Sequence, residues 1–536
     1  MLNFLGNWGI MSLLTHCRKV EKQSRFLVVA LAAAGGLAGQ NGPYVRDWKP
    51  PAGESASKPR MACSALRSLT SYEFTIVSAE PEAAGGLEFC RVMGHVQPEI
   101  RFEVNLPAEW NRRLYMFGNG GYAGENLETP GRKAQRDAGL KLGFAVAQTN
   151  TGHDNEAEPL GSFAVSSQKL YDYAFRAVHV TAETAKRLAA AYYGSGPSKS
   201  YFFGCSTGGR QALISAQRFP DDFDGIVAGA PVLDFTGTMI GYVQTAHAMA
   251  TAAIPAAKLM TLAQKVYESC DGKDGVKDGL IEDPRRCGFS PTRELPKCAG
   301  DGDGDACFTA AQIETLEKIY ADVSANGKRL FPGWPVGAEV AGSNGRSGWD
   351  AWLVREGGPP ISVLFAETFF RYLAFPKKDP GLTLKQVDLG RDAPRLQWIR
   401  QVLDATDPDL SRFRARGGKL LMYFGWADPA LNPRMGVEYY ESVMRKMGAA
   451  TQEFFRLYMM PGVFHCAGGV GCAAFDPIAA LIPWVEQGRP PENLVASRVE
   501  AGKLIRTRPL CAYPQVAKYQ GSGSIDEAAS FRCGAQ

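Results

Sequence analysis

Apolar and polar residues alternate in short runs early in the chain. Phe74-Thr75-Ile76-Val77, Cys90-Arg91-Val92 and Ile100-Arg101-Phe102-Glu103-Val104 show the two-residue period of half-buried strands. Arg113 to Phe117 is a further apolar run that leads into Gly118-Asn119-Gly120-Gly121-Tyr122-Ala123-Gly124, and Phe144 to Gln148 is another. From about Leu170 to Tyr193 the apolar positions fall three and four apart, which predicts a helix. Tyr201-Phe202-Phe203 then predicts a strand, Gln211 to Arg218 a helix, and Gly225 to Ala230 a strand. Strands alternating with helices imply a mostly parallel sheet covered on both faces. After Pro231 this rhythm breaks. Residues from about 233 to 406 hold helix patterns, clustered cysteines and acidic glycine-rich loops, and the strand pattern resumes near Leu420. Residues 233–406 are therefore expected to form an inserted lid domain between two parts of one domain, 39–232 and 407–536. A Thr309/Gln312 capping box begins one lid helix, Ala310 to Tyr320.

The strand-to-helix junction carries a candidate chemistry. Gly204-Cys205-Ser206-Thr207-Gly208 is a GxSxG pattern in the setting of a nucleophile elbow, where a sharp turn lifts the serine hydroxyl clear of the sheet. A serine becomes a good nucleophile only when an imidazole takes its proton, and the imidazole needs a carboxylate to hold it. Asp428 follows the apolar run Leu420 to Phe424, and His465 lies in Gly462-Val463-Phe464-His465-Cys466. Ser206, Asp428, His465 is the chain order of an α/β-hydrolase. His153 competes with His465 but precedes the serine; His179 and His247 lie in helical patterns and read as structural. Asp404, Asp407 and Asp409 precede the aspartate strand and read as surface or cap residues. Acyl transfer also needs two donors for the oxyanion. The backbone N–H of Thr207 and the Gly120-Gly121 turn are the candidates, the alternative for the latter being a plain glycine turn.

Charge and cysteines set the compartment. The 536 residues exceed one ordinary domain, and 45% hydrophobic with 21% charged residues is a globular composition. A net charge of +4 without basic runs sets nucleic-acid binding aside. Arg18, Lys19, Lys22 and Arg25 precede 13 uncharged residues, Phe26 to Ala38. That is a secretory-signal pattern, so 1–38 is read as a signal peptide, too short for the ~20 residues that span a bilayer. Secretion or a periplasmic location suits the 12 cysteines. Connectivity does not follow from sequence alone. Cys63 with Cys90, Cys270 with Cys287, Cys298 with Cys307 and Cys511 with Cys533 are the local pairs considered. Cys205 with Cys466 would clasp nucleophile and base, leaving Cys472 free.

A second constellation is Cys270-Asp271-Gly272-Lys273-Asp274-Gly275-Val276-Lys277-Asp278-Gly279-Leu280. Three carboxylates among glycines, with the carbonyls of Val276 and Leu280, suit a hard cation such as Ca2+; the competing reading is a solvated acidic turn. The spacing is not that of an EF-hand.

Taken together, Cys205-Ser206, Asp428, His465-Cys466 and the glycines Gly468, Gly469 and Gly471 resemble the tannase and feruloyl esterase family, from about Cys63 to Cys533. Cys472 departs from it. The resemblance implies an α/β-hydrolase with a large lid, a disulfide joining Cys205 and Cys466, oxyanion donors at Thr207 and Gly121, and structural Ca2+ on Asp271, Asp274, Val276, Asp278 and Leu280. It implies a secreted serine carboxylic-ester hydrolase for small aromatic acid esters, of feruloyl or hydroxycinnamoyl type. Gallate esters or a mono(2-hydroxyethyl) terephthalate hydrolase-like activity are the alternatives. An acyltransferase and a non-catalytic binding module are the other classes. Trp349, Trp352, Phe365, Phe369, Phe370 and Tyr372 are candidates for a ring pocket, or for lid core. Arg371 is a candidate for a substrate carboxylate, or for a structural ion pair.

Overall fold

Two glycines with positive φ, Gly85 at 58° and Gly86 at 81°, make the two-residue turn that joins the first hairpin. β1 (Thr75–Ala84), β2 (Leu87–Val96) and β3 (Ile100–Pro107) form an antiparallel meander on that turn. The computed structural model describes residues 48, 49 and 55–535, apart from 301, 340, 341, 343–345 and 493. The expected signal, 1–38, lies outside them. Next come β4 (Arg113–Phe117), β5 (Ala145–Thr149), β6 (Lys199–Cys205) and β7 (Gly225–Gly229). β8 (Val323–Ala325) and β9 (Lys328–Phe331) form a separate hairpin. β10 (Lys419–Gly425) and β11 (Phe455–Met460) return to the main sheet. Its nine strands run β1-β2-β3-β5-β4-β6-β7-β10-β11, and from β5 to β11 every neighbour is parallel. β4, β5 and β7 are buried along their whole length, as both faces carry helices. This is an α/β-hydrolase fold.

Helices pack on the sheet where the apolar pattern predicts them, α2 (Ala177–Tyr193) and α3 (Thr207–Arg218), and at α1 (Pro130–Lys141), which was not anticipated. Between β7 and β10, which are direct partners, residues 230–418 leave the sheet and come back to the same place. They include α4 (Phe235–Thr251), the capped helix α5 (Ala310–Tyr320) and α6 (Ile361–Tyr372). Their apolar side chains join those of the sheet: Ile240, Leu316 and Phe369 belong to one cluster with Val104, Phe202 and Met422. Thus the excursion shares a continuous core with the sheet.

The excursion begins and ends at a pair of acids. Asp234 caps α4 by accepting the Gly237 N–H at 2.8 Å. Asp404 accepts the N–H and hydroxyl of Thr236 at 3.0 and 2.7 Å, while Ala405 N–H donates to the Leu233 carbonyl at 2.7 Å. Of the two readings for Asp404, surface or cap, the structure gives the cap: it ends the helix Gln397–Leu403 and is buried against the start of α4. Burial, then the neighbouring Asp234, pushes its carboxyl well above the usual range.

Five disulfides close as expected: Cys63–Cys90, Cys205–Cys466, Cys270–Cys287, Cys298–Cys307 and Cys511–Cys533. Cys472 is buried and unpaired. Two C-terminal hairpins, β12 (Leu494–Glu500) with β13 (Lys503–Leu510) and β14 (Gln515–Tyr519) with β15 (Phe531–Ala535), were not anticipated. No helix among the described residues is long and apolar enough to cross a membrane.

Candidate active site

β6 ends at Cys205, and the chain turns into α3 through Ser206, whose φ and ψ are 64° and −122°. A non-glycine residue held there stores about 1–3 kcal/mol of strain, so the turn must be enforced by its surroundings. Close approach of the backbone explains the flanking glycines. A Cβ on Gly204 would lie 2.2 Å from the Gly208 carbonyl oxygen, and one on Gly209 2.5 Å from that of Gly229. The Ser206 N–H donates to the Gly229 carbonyl at 3.0 Å and its carbonyl accepts from Val232 at 3.2 Å. The elbow is thus bolted to β7.

Asp428 sits in the turn after β10 and is fully buried. Its Oδ1 accepts the N–H groups of Ala430 and Leu431, both at 2.8 Å. Its Oδ2 lies 2.8 Å from His465 Nδ1, and His465 Nε2 lies 2.9 Å from Ser206 Oγ. Acid, imidazole and hydroxyl form one hydrogen-bonded line. His465 is carried by a tight loop after β11 in which Ala427 N–H donates to the Val463 carbonyl at 3.1 Å and Phe464 N–H to that of Gly468 at 3.2 Å. Glycine is required there too: a Cβ on Gly471 would meet the Pro461 carbonyl oxygen at 1.9 Å. The disulfide Cys205–Cys466 joins the residues next to serine and histidine.

His153 does not reach this line. It stacks on Phe163 at 3.9 Å, and burial, the largest influence, lowers its pKa to about 4, so it is neutral at ordinary pH. His179 bonds Asp222 at 2.9 Å and His247 the Leu384 carbonyl at 2.8 Å; both are structural, as read from sequence.

Gly121 lies beside the elbow with φ at 52°. Its carbonyl accepts from the Thr207 hydroxyl and, at 3.3 Å, from the Tyr173 hydroxyl. Of the aromatic candidates, Trp352 and Phe365 face the site. Trp352 stands edge-on to His465 at 6.0 Å and lies 6.1 Å from Phe365. Phe365 stacks on Tyr122 at 5.1 Å, and the Tyr122 hydroxyl donates to the Phe365 carbonyl at 3.0 Å. Trp349, Phe369 and Phe370 are buried core residues, and Tyr372 is partly buried against that core. Arg371 binds Glu367 at 3.0 Å and the Leu382 carbonyl at 2.7 Å, the structural role. Tyr122 and Tyr173 were missed by sequence reasoning. Tyr122 had a signal, being the one aromatic residue in the glycine-rich loop.

In the acidic loop, Asp271 accepts the N–H groups of Asp278 at 3.1 Å and Gly279 at 3.0 Å. Asp274 accepts that of Val276 and Asp278 that of Leu280, each at 3.1 Å. The second oxygen of Asp278 meets the guanidinium of Arg508 on β13. Burial, with the charges of Asp278 and Asp271 adding to it, pushes the Asp274 carboxyl up to about 6. Half-buried Glu282, for which the sequence held no signal, is pushed up to about 8, chiefly by desolvation. Among the described residues, no three His, Cys, Asp or Glu side chains converge as a metal-binding group.

The family model for tannase and feruloyl esterase matches residues 84–534, nearly all of the described chain. The chain belongs to this family. A relative from Xanthomonas campestris pv. campestris, described as an uncharacterized esterase, is 36% identical over 538 residues, 88% of this chain and 91% of that one. Mono(2-hydroxyethyl) terephthalate hydrolase of Piscinibacter sakaiensis is 31% identical over 523 residues, covering 85% and 86%. Feruloyl esterase B from Aspergillus oryzae superposes with a TM-score of 0.78 at 26% identity, covering 88% of this chain and all of that one. As a member of the tannase and feruloyl esterase family, the chain is a carboxylic ester hydrolase.

Proposed function

We propose that this esterase cleaves esters of aromatic acids through an acyl-enzyme, with Ser206 as nucleophile, His465 as general base and acid, and Asp428 as the group that holds the imidazole. The observation that carries this reading is the unbroken Asp428–His465–Ser206 line, with Nε2 at 2.9 Å from Oγ. His465 takes the Ser206 proton as Oγ attacks the ester carbonyl. The N–H groups of Thr207 and Gly121 receive the developing oxyanion. His465 then protonates the departing alkoxide, and water, deprotonated by the same imidazole, releases the acid.

Trp352, Phe365 and Tyr122 supply apolar ring surface next to the imidazole, which favours a hydroxycinnamoyl (feruloyl) acyl group. A gallate ester or a terephthalate monoester is the second reading, favoured by what the relatives are named for. Residues 233–406 would act as the lid that carries Trp352 and Phe365, between 39–232 and 407–536. The disulfides favour a secreted or periplasmic protein.

Incubating the protein with methyl ferulate, methyl gallate and mono(2-hydroxyethyl) terephthalate, with acid release followed by chromatography, should give the highest kcat/KM on the ferulate. A preference for either of the others selects the second reading. Release from none of the three, with p-nitrophenyl acetate also untouched, would leave only a binding module. Product shifted to a new ester by excess alcohol would mark an acyltransferase.

Calcium in the acidic loop belongs to the same proposal. Asp271, Asp274 and Asp278 would supply carboxylate oxygens, and Val276 and Leu280 carbonyl oxygens, a hard donor set suited to Ca2+. Its role would be to hold the loop in place. Because partial desolvation and the charges of Asp278 and Asp271 push the Asp274 carboxyl above an ordinary aspartate, its charge opposes folding increasingly as pH rises above the ordinary aspartate range. A bound cation reverses this. Chelation near pH 7.5 should lower the melting temperature by roughly 5 °C, restored by Ca2+, and the effect should fade below about pH 6 as protons displace the ion. A melting temperature indifferent to chelator and Ca2+ near neutral pH removes the ion from the account.

A further inference from the structure

The proposed chemistry asks one backbone N–H, that of Gly121, to wait for an oxyanion. On that reading, we propose that Glu125 is a positioning residue that orders the Gly118–Gly124 loop so that the Gly121 N–H is left for the substrate. The N–H groups before it are taken in turn. That of Gly118 donates to the Phe203 carbonyl of β6 at 2.9 Å, and that of Asn119 to Gln211 Oε1 on α3 at 3.0 Å. Gly120 N–H donates to Glu125 Oε1 at 2.8 Å. Gly121 is the first in this run whose N–H has no protein acceptor among the described residues.

Its direction is set as well. The Gly120 carbonyl accepts from Ala123 N–H at 2.7 Å. In a planar trans peptide the carbonyl and the following N–H point opposite ways, so this contact aims the Gly121 N–H away from Ala123. Thr207 and Tyr173 hold the next carbonyl. Glu125 is the one ionised group among these anchors. Its second oxygen accepts from Asn119 Nδ2 at 2.7 Å. Asn119 in turn is gripped by the Thr149 carbonyl at 2.9 Å and by Gln211 Nε2 at 3.2 Å. A single carboxylate thereby locks the loop to the helix that begins at the nucleophile.

A negative charge close to a developing oxyanion would oppose the reaction unless it is offset. Arg132, whose side chain is 9% exposed, stands 3.8 Å from Glu125 Oε2. It is aimed there by Gln148 Oε1 at 2.7 Å and by the Thr149 carbonyl at 3.2 Å. The pair keeps the anchor while cancelling most of its field.

Glu125→Ala and the near-isosteric Glu125→Gln test this. Three readings are needed: kcat and KM for p-nitrophenyl acetate, the rate at which diethyl p-nitrophenyl phosphate inactivates the enzyme, and the melting temperature. Glu125→Ala should lower kcat about 100-fold with KM changed less than about 3-fold, as losing an oxyanion donor does. Inactivation should slow in parallel, because the phosphoryl oxygen needs the same N–H. Glu125→Gln keeps one acceptor for Gly120 but loses the charge and the acceptor for Asn119, so it should retain between about a tenth and a third of the parent kcat, with inactivation slowed in parallel. If Glu125→Ala does not fold, a Glu125→Gln enzyme with kcat and inactivation rate both unchanged overturns the proposal. So does a Glu125→Ala enzyme that melts lower yet turns over normally. Failure of the underlying reaction is told apart by Ser206→Ala: activity there removes the serine mechanism itself, whereas an inactive Ser206→Ala beside a fully active Glu125→Ala removes only the role of Glu125.

Discussion

Ser206→Ala is expected to abolish ester hydrolysis while leaving the protein folded. Removing the nucleophile of a serine hydrolase typically lowers kcat by about 10^5- to 10^6-fold, because imidazole and carboxylate then have no bond to make. The fold should tolerate the change. The recorded side-chain contact of Ser206 is the one to His465 Nε2, and the bonds that bolt the elbow, from its N–H and to its carbonyl, belong to the backbone. Alanine suffers the same positive φ that serine does, so the strain is not altered. The measurement is the initial rate on p-nitrophenyl acetate together with the melting temperature, which should move by less than about 2 °C. Asp428→Asn offers a second reading, with a loss of about 10^4-fold expected from a wrongly held imidazole tautomer. A Ser206→Ala protein that retains even a hundredth of the parent rate on esters would mean that another nucleophile does the work.

The second large effect concerns sulfur. Cys205 and Cys466 are 261 residues apart in the chain, so their bond removes a very large loop from the unfolded ensemble. The chain-entropy estimate for loops of this order is roughly 5 kcal/mol. The double replacement Cys205→Ala with Cys466→Ala should therefore shift urea unfolding by several kcal/mol. Catalysis should suffer at temperatures where the variant is still folded, since the disulfide holds the last residue of the nucleophile strand against the residue after His465. Cys298–Cys307, with a separation of 9, is the control. Its removal should cost less than about 3 kcal/mol and leave kcat unchanged. Equal losses at the two bridges, or a Cys205/Cys466 variant with parental kcat and stability, would show that the clasp is not what holds the relay together.

Much of the site was legible along the chain because each part obeys a local rule. A serine between glycines at a strand-to-helix junction can only be a sharp turn if no Cβ intrudes, and the 2.2 Å approach at Gly204 is that rule in three dimensions. Asp428 and His465 were found by position after strands, which parallel topology places at the same edge of the sheet. His153 was excluded by chain order, and the structure supplies the reason in its apolar stacking on Phe163. Asp404 was read as a surface or cap residue, and it is a cap, but a buried one. Aspartates before a strand are usually solvated, and nothing nearby in sequence announced that Thr236, far upstream, would bury this one. The C-terminal hairpins escaped notice because β13 and β14 are half exposed and leave only a weak alternation.

Local sequence, then, pointed to the parallel sheet, the elbow and the three residues that the structure joins in one hydrogen-bonded line, and it offered the cysteine pairs that close short loops without fixing their connectivity. Those follow from periodicity, steric allowance and chain order, all of which act between near neighbours or through the topology they generate. Only the tertiary structure decided which rings line the site, with Trp352 beside His465 and Phe365 beside Gly121, while Trp349, Phe369 and Phe370 fill the core. It alone decided that Glu125 and Gln211 hold the glycine loop. Side chains of equal hydrophobicity or charge are interchangeable in a one-dimensional pattern; packing distinguishes them, because a ring either fills the core or lines a surface, and a carboxylate is fixed only by the donors that reach it.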